Sequence, residues 1–221
     1  MGRIVITEFV SLDGVVEDPG RIGGFKHAGW TFGIDRGEEG EEYKLRELLG
    51  AEALLLGRIT YEEFAAFWPY LADRVRSDRG YEGRSRDGEF ADQFNSLPKY
   101  VVSSTLEDPE WNNSKVLEGD VVEEVSSLKR ELDGEILVHG SIQLARALIE
   151  YDLVDELRLM VYPVMLGAGE PLFGELSDKK PLRLVGTRTV GDGVVIHTYE
   201  PVRDPGQGEK HGPEMSGAEA E

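Results

Sequence analysis

The chain contains no cysteine, which removes disulfides, thiolate metal sites and thiol nucleophiles together. That fits a reducing compartment, and a cytoplasmic location is expected. Histidine is scarce. His27, His139, His197 and His211 never fall at ligand spacing, and no G-x-S-x-G occurs, so neither a metal site nor serine-hydrolase chemistry is expected. No apolar run reaches the length of a membrane span, and the one in MGRIVITEFV is too short for a signal peptide. Basic residues are few beside acidic ones, 24 against 43, giving a net charge of −19. So acidic a chain is not expected to bind nucleic acid or an anionic membrane over a broad face, although a local basic pocket stays open. No internal repeat is visible, and 221 residues suffice for one domain with a real core.

Of what is present, residues 135–163 organise the rest. Ile136-Leu137-Val138 is a short apolar run of the kind a buried strand carries, and His139-Gly140-Ser141 makes a turn of mostly small residues. Ile142, Ala145, Leu148 and Ile149 then recur at helical spacing, and Leu157, Leu159 and Val161 alternate until Pro163. This is a βαβ unit. The turn after its first strand either simply ends that strand or aims free backbone N–H groups at an anion.

In chain order, residues 4–10 read as a strand running into the turn Ser11-Leu12-Asp13-Gly14, followed over 15–36 by a Gly-rich loop holding Trp30 and Phe32. Residues 38–49 form an amphipathic helix with Leu45, Leu48 and Leu49 inward and an acidic first turn. A strand at 53–56 leads to a helix over 61–70, for which Thr60 and Glu63 stand at capping-box spacing. Residues 72–94 read as a charged, partly helical excursion with little core. A strand at 99–103, a short one within 111–117 and a helix over 121–132 come next. Residues 182–190 and 194–199 make a hairpin about Gly191-Asp192-Gly193, and 203–221 read as a disordered acidic tail. One mixed α/β domain over 1–202 is expected, its sheet mostly parallel.

Three strand ends share a composition. Gly57-Arg58-x-Thr60, Ser103-Ser104-Thr105 and Gly140-Ser141 each follow an apolar run, where an open α/β sheet places its ligand crevice. Together they offer a guanidinium, hydroxyls and two helix N-termini, an inventory suited to a phosphorylated ligand. Taken singly, Thr60 is a helix cap and Arg58 a surface charge. The common dinucleotide fingerprint is absent, because the glycine turn lies past mid-chain and reads Gly140-Ser141-Ile142-Gln143, and no P-loop occurs.

Leu54-Leu55-Leu56-Gly57-Arg58-Ile59-Thr60-Tyr61-Glu62, Lys99-Tyr100-Val101-Val102-Ser103-Ser104 and Val138-His139-Gly140-Ser141 resemble the dihydrofolate reductase superfamily. Ser11-Leu12-Asp13-Gly14, Leu153-Val154-Asp155-Glu156-Leu157, Pro163-Val164-Met165-Leu166-Gly167 and Pro171-Leu172-Phe173 narrow the likeness to one branch. It is the C-terminal reductase domain of the riboflavin-biosynthesis deaminase–reductase, spanning roughly residues 3–200. The resemblance implies a dihydrofolate-reductase-like three-layer α/β fold. It has a mostly parallel central sheet, helices on both faces and a C-terminal antiparallel hairpin. It also implies an NADPH-dependent reductase of a small planar substrate, paired as a homodimer. Carried across, Arg58, Ser103 and Ser104, with the adjoining Thr105, hold the ribose 2′-phosphate. Gly57, Thr60, Gly140, Ser141, Ile142 and Gln143 sit at the pyrophosphate, and Asp13 organises the nicotinamide end. Ser141 departs from the glycine that dihydrofolate reductases carry there.

The substrate side is less defined. Trp30 and Phe32 either stack on a planar ring or fill core, and Tyr162 faces the cleft. Glu38, Glu39, Glu41 and Glu42 supply either a ring-gripping carboxylate or only a dipole-matched helix end. His139 either touches the ligand or anchors its turn, while Tyr61, Phe64 and Phe67 read as core. Two rival functions remain open: the riboflavin-pathway pyrimidine reductase itself, and an NADP-binding protein without turnover.

Overall fold

Ile136, Leu137 and Val138 have no exposed surface because their strand lies mid-sheet, covered on both sides. The computed structural model describes residues 1–20, 23–77 and 86–203. In chain order these form β1 (Arg3–Ser11), α1 (Gly37–Gly50), β2 (Ala51–Gly57), α2 (Arg58–Ser77), α3 (Arg86–Ser96), β3 (Lys99–Val102), β4 (Ser114–Leu117), α4 (Val121–Glu131), β5 (Glu135–His139), α5 (Ile142–Glu150), β6 (Glu156–Tyr162), β7 (Leu182–Val190) and β8 (Val194–Pro201). The tail expected from 203 onward lies, past Arg203, outside the described residues. Arg203 itself bonds Asp155 at 2.5 Å and so is tied to the domain.

The strands make one sheet in the order β4-β3-β2-β5-β1-β6-β8-β7. Pairing is parallel from β4 to β6, and the β7–β8 hairpin adds antiparallel to β6. Alternation along β1 sends Ile4 and Ile6 to the side covered by α4 and α5, and Val5 to the side covered by α1, α2 and α3. The result is three layers. A third cluster, Trp30, Met160, Tyr162, Val194 and Ile196, fills the hairpin end. Removing the side chain of a fully buried leucine such as Leu55 costs about 2–5 kcal/mol, by transfer and by the cavity left behind.

Several expectations are corrected. Leu49 is exposed, because α1 buries Leu45 and Leu48 and turns 49 away. The second helix is twice as long as expected: it starts at Arg58, passes through Pro69 and ends at Ser77. Thr60 is therefore inside its first turn and not its cap. The segment expected to hold little core contributes Ala72, Ala91 and Phe94, all buried. The last strand of the βαβ unit is apolar on both faces, since Met160 and Tyr162 pack under the hairpin. Among the described residues no helix is long and apolar enough to cross a membrane, and no three carboxylate or imidazole groups gather as metal ligands.

Candidate functional site

Parallel pairing puts the C-terminal ends of β3, β2, β5 and β1 on one margin, and a cleft of about 2000 Å³ opens there. Gly57 through Thr60, Ser103 through Thr105 and Gly140 through Gln143 all line it. The β2 and β5 ends are interlocked. The Ser141 amide donates to Thr60 Oγ1 at 2.9 Å, and the Gly57 amide donates to Ser141 Oγ at 2.9 Å. Gly140 has φ +53 and comes so close to α2 that a Cβ there would lie 3.0 Å from Thr60 Oγ1. Ser141 is also left-handed, at φ 56, a conformation costing a non-glycine residue about 1 kcal/mol. Its two hydrogen bonds, to the Gly57 amide and to the His139 carbonyl, offset that cost. With its hydroxyl so engaged, Ser141 does not cap α5, and the first amides of that helix stay free at the cleft.

Arg58 lies half-exposed at the rim, paired with Glu62 at 3.0 Å. Ser103 Oγ accepts from the amides of Thr105 and Leu106, holding the β3 end as a turn that leaves Ser104 and Thr105 exposed.

The inner floor is different in kind. Lys44, from α1, is 7% exposed; its Nζ lies 2.6 Å from Glu47 Oε2 and donates to Thr7 Oγ1 at 2.5 Å. Thr7 in turn donates to Glu47, and Glu47 sits 3.7 Å from Arg158, which is bound to Glu135 and Glu156. Two further groups line the cleft: Glu8, which is buried, and His139, which is half-buried with its Nε2 shielded from solvent. Burial pushes the Glu8 carboxyl well above its ordinary value, opposed by Lys44 and by a Gly140 amide directed at it. Burial, with Lys44 beside it, holds His139 well below its ordinary value. Glu8 Oε1 and His139 Nε2 have no hydrogen-bond partner. At the mouth, burial and the nearby Asp18 raise Glu63.

The remaining sequence candidates separate. Phe32 lines the cleft and is 67% exposed. Tyr162 lines it as an almost wholly buried wall, its ring edge-on to Phe9 and Trp30. Trp30 stands behind Tyr162 in the core, its Nε1 donating to the Glu17 carbonyl, and does not line the cleft. Asp13 is off the cleft. It accepts from the amides of Leu166 and Gly167 and from Ser11 Oγ, and these bonds, led by Ser11, lower its carboxyl to about 2. It therefore pins the turn after β1 to the 164–167 loop, where an ionised carboxylate is already fully used. Of the helix glutamates, Glu41 lines the cleft paired with Arg36, and Glu42 pairs outward with Arg46.

Sequence reasoning missed Thr7, Glu8, Lys44 and Glu47. One signal was present: in RIVITEFVS, Glu8 occupies the row of Ile4, Ile6 and Val10, which otherwise feeds the core. Lys44 and Glu47 looked like ordinary polar positions of an acidic helix.

A family model, the RibD C-terminal domain, matches residues 3–196. The uncharacterised protein YyaP of Bacillus subtilis (strain 168) is 29% identical over 197 residues, covering 89% of this chain and 94% of YyaP. A solved structure from Shewanella sp. PV-4, ascribed to riboflavin biosynthesis, is similar with a TM-score of 0.68 at 20% identity, over 91% of this chain and 99% of that one. Dihydrofolate reductase from Enterococcus faecalis, complexed with NADP(H), is similar with a TM-score of 0.50 at 14% identity, over 90% and 96% of the two chains. The three-layer architecture is dihydrofolate-reductase-like.

Proposed function

The chain belongs to the RibD C-terminal domain family, and from that premise we propose that it is an NADPH-dependent reductase of a small planar heterocycle. One observation carries the reading: Arg58, Ser103 and Gly140, far apart in sequence, end adjacent strands and line one cleft. In this reading the free amides of α5 and the turns at Gly57 and Gly140 take the pyrophosphate, with Thr60, Ser141, Ile142 and Gln143 around it. Arg58, with Ser103, Ser104 and Thr105, takes the 2′-phosphate. The exposed pair of Arg58 with Glu62 is worth at most about 1 kcal/mol, so the guanidinium is available to a bound phosphate. The bound coenzyme supplies a hydride from its nicotinamide. This chain's residues hold the two rings face to face and keep water out.

Phe32 and Tyr162 form the substrate wall, with Trp30 supporting Tyr162 from behind. Among the described residues, the cations lining the cleft beside Phe9 and Tyr162, Arg36 and Lys44, already face carboxylates in partly or fully buried pairs. Glu17, Asp35 and Glu63 add negative charge. That balance favours a ring without a phosphate. The second reading, 5-amino-6-(5-phosphoribosylamino)uracil reductase, draws its support from the family. A homodimer accompanies either reading.

Titration of NADPH fluorescence tests coenzyme binding. Absorbance decay with dihydrofolate and with the phosphoribosyl pyrimidine tests turnover and chooses between substrates. Saturable binding with no oxidation by either leaves an NADP-binding protein without turnover. Arg58→Ala is expected to weaken NADPH about 10- to 100-fold, as loss of a charge-assisted contact does, and NADH little. Equal weakening of both coenzymes puts Arg58 away from the 2′-phosphate.

A further inference from the structure

Glu8 is the one acid in the inward row of the central strand, between Ile6 and Val10, with Leu159 of β6 beside it. Such a position is normally apolar, because an ionised carboxylate there loses its hydration without repayment. A counter-ion does not explain it: Lys44 is spent on Glu47 and Thr7. The Gly140 amide is directed at the carboxyl, yet Oε1 has no partner, although Glu8 lines the cleft. An unpartnered buried oxygen on a ligand-sized cleft is complete only when something else bonds to it. The strand carrying Glu8 lies between β5, whose end belongs to the coenzyme half, and β6, whose end carries Tyr162 of the substrate wall. Glu8 thus lies on the strand between the two halves of the cleft.

We propose that the Glu8 carboxyl hydrogen-bonds the bound acceptor and delivers the proton that accompanies hydride transfer, an assignment resting on the reductase reading above. The step balances. The reduced nicotinamide gives a hydride, with two electrons, to the carbon of a C=N or C=O group. The nitrogen or oxygen of that group takes the proton from Glu8. A C–H and an N–H or O–H bond form, the oxidised coenzyme leaves, and the Glu8 carboxylate regains a proton from solvent. The acceptor class follows: a ring presenting an imine or carbonyl to a neutral acid.

Burial raises the Glu8 carboxyl well above its ordinary value, which favours its protonated form. Lys44, from α1 on the other face of β1, acts on it through its charge alone, with Glu47 bound to that lysine, and burial outweighs Lys44. His139, the rival donor on β5, is held neutral by burial and the same lysine, and lies against Phe64 and Phe94. A neutral carboxylic acid is both donor and acceptor, and a carboxylate only an acceptor.

Glu8→Gln keeps the shape and the acceptor for Gly140 but has no transferable proton. Infrared difference spectra of wild type minus Glu8→Gln at pH 7 should show the band of a protonated carboxyl, and dihydrofolate or an aryl imine added with NADPH should shift it. Glu8→Gln should bind NADPH within about two-fold of wild type and oxidise it about 10²- to 10⁴-fold more slowly. The wild-type rate should fall as pH rises through the Glu8 titration, and that limb should vanish in the variant. The proposal is overturned if the band is missing, if no added acceptor moves it, if Glu8→Gln turns over like wild type, or if His139→Gln alone removes the pH limb. Failure of NADPH to bind wild type would instead sink the coenzyme reading, while the infrared band still reports on Glu8.

Discussion

The two halves of the cleft are built from different materials. The half proposed for the coenzyme is made of turns: Gly57, Ser103 and Gly140 end or follow neighbouring strands, and its polar groups are largely amides and hydroxyls held by local hydrogen bonds. The inner half is made of long charged side chains brought in from separate elements, Glu8 from β1 and Lys44 from α1, with Glu47 of α1 and Arg158 of β6 behind that lysine. Backbone turns depend on conformation and tolerate small changes of side chain. A buried ion network depends on each partner, because removing one strands another's charge in a place with no water.

That contrast can be broken by mutation. Lys44→Met should have the largest effect, about 3–5 kcal/mol of stability lost, since buried Glu47 loses its nearest cation and Thr7 a donor. A chemical denaturation curve within 1 kcal/mol of wild type would mean the inner network is not under tension. Gly140→Ala should come next, at about 1–3 kcal/mol, because φ +53 and the 3.0 Å approach to Thr60 both resist a Cβ. It should also weaken NADPH by displacing the turn, and unchanged thermal stability and affinity together would count against the tight β2–β5 lock. Ser141→Gly should have the smallest effect, within about 0.5 kcal/mol. Relief of the left-handed serine nearly cancels the loss of its bond to the Gly57 amide. A large loss in that variant would show that the Ser141 hydroxyl, not the backbone, holds this half together.

The turns that line the proposed coenzyme half were readable in the sequence because their signals are local. A glycine that must take φ +53, a serine that closes a turn and an arginine opening a helix stand directly after the apolar runs that place them. The strands and the βαβ unit were readable for the same reason. The limits of α2 were not, since tertiary contacts carry it through Pro69 and back to Arg58. Trp30 and Phe32, two residues apart, read alike in sequence, yet one is core and the other lines the cleft, a difference set by what packs above the loop. Asp13 lay beside the expected nicotinamide end, but its carboxylate is consumed by amides of a loop some 150 residues away in sequence.

By itself, then, the sequence determined the layers, the parallel sheet with its closing hairpin, and the turns that line the outer cleft, because periodicity and turn chemistry act over a few residues. Which charged side chains meet at the cleft floor was decided only by the tertiary structure. Thr7, Glu8, Lys44, Glu47 and His139 come from elements distant along the chain, and only the strand order places β1 between β5 and β6 with α1 laid across it. Desolvation, which raises the Glu8 carboxyl above its ordinary value, is a property of that assembled neighbourhood and of no single stretch of chain.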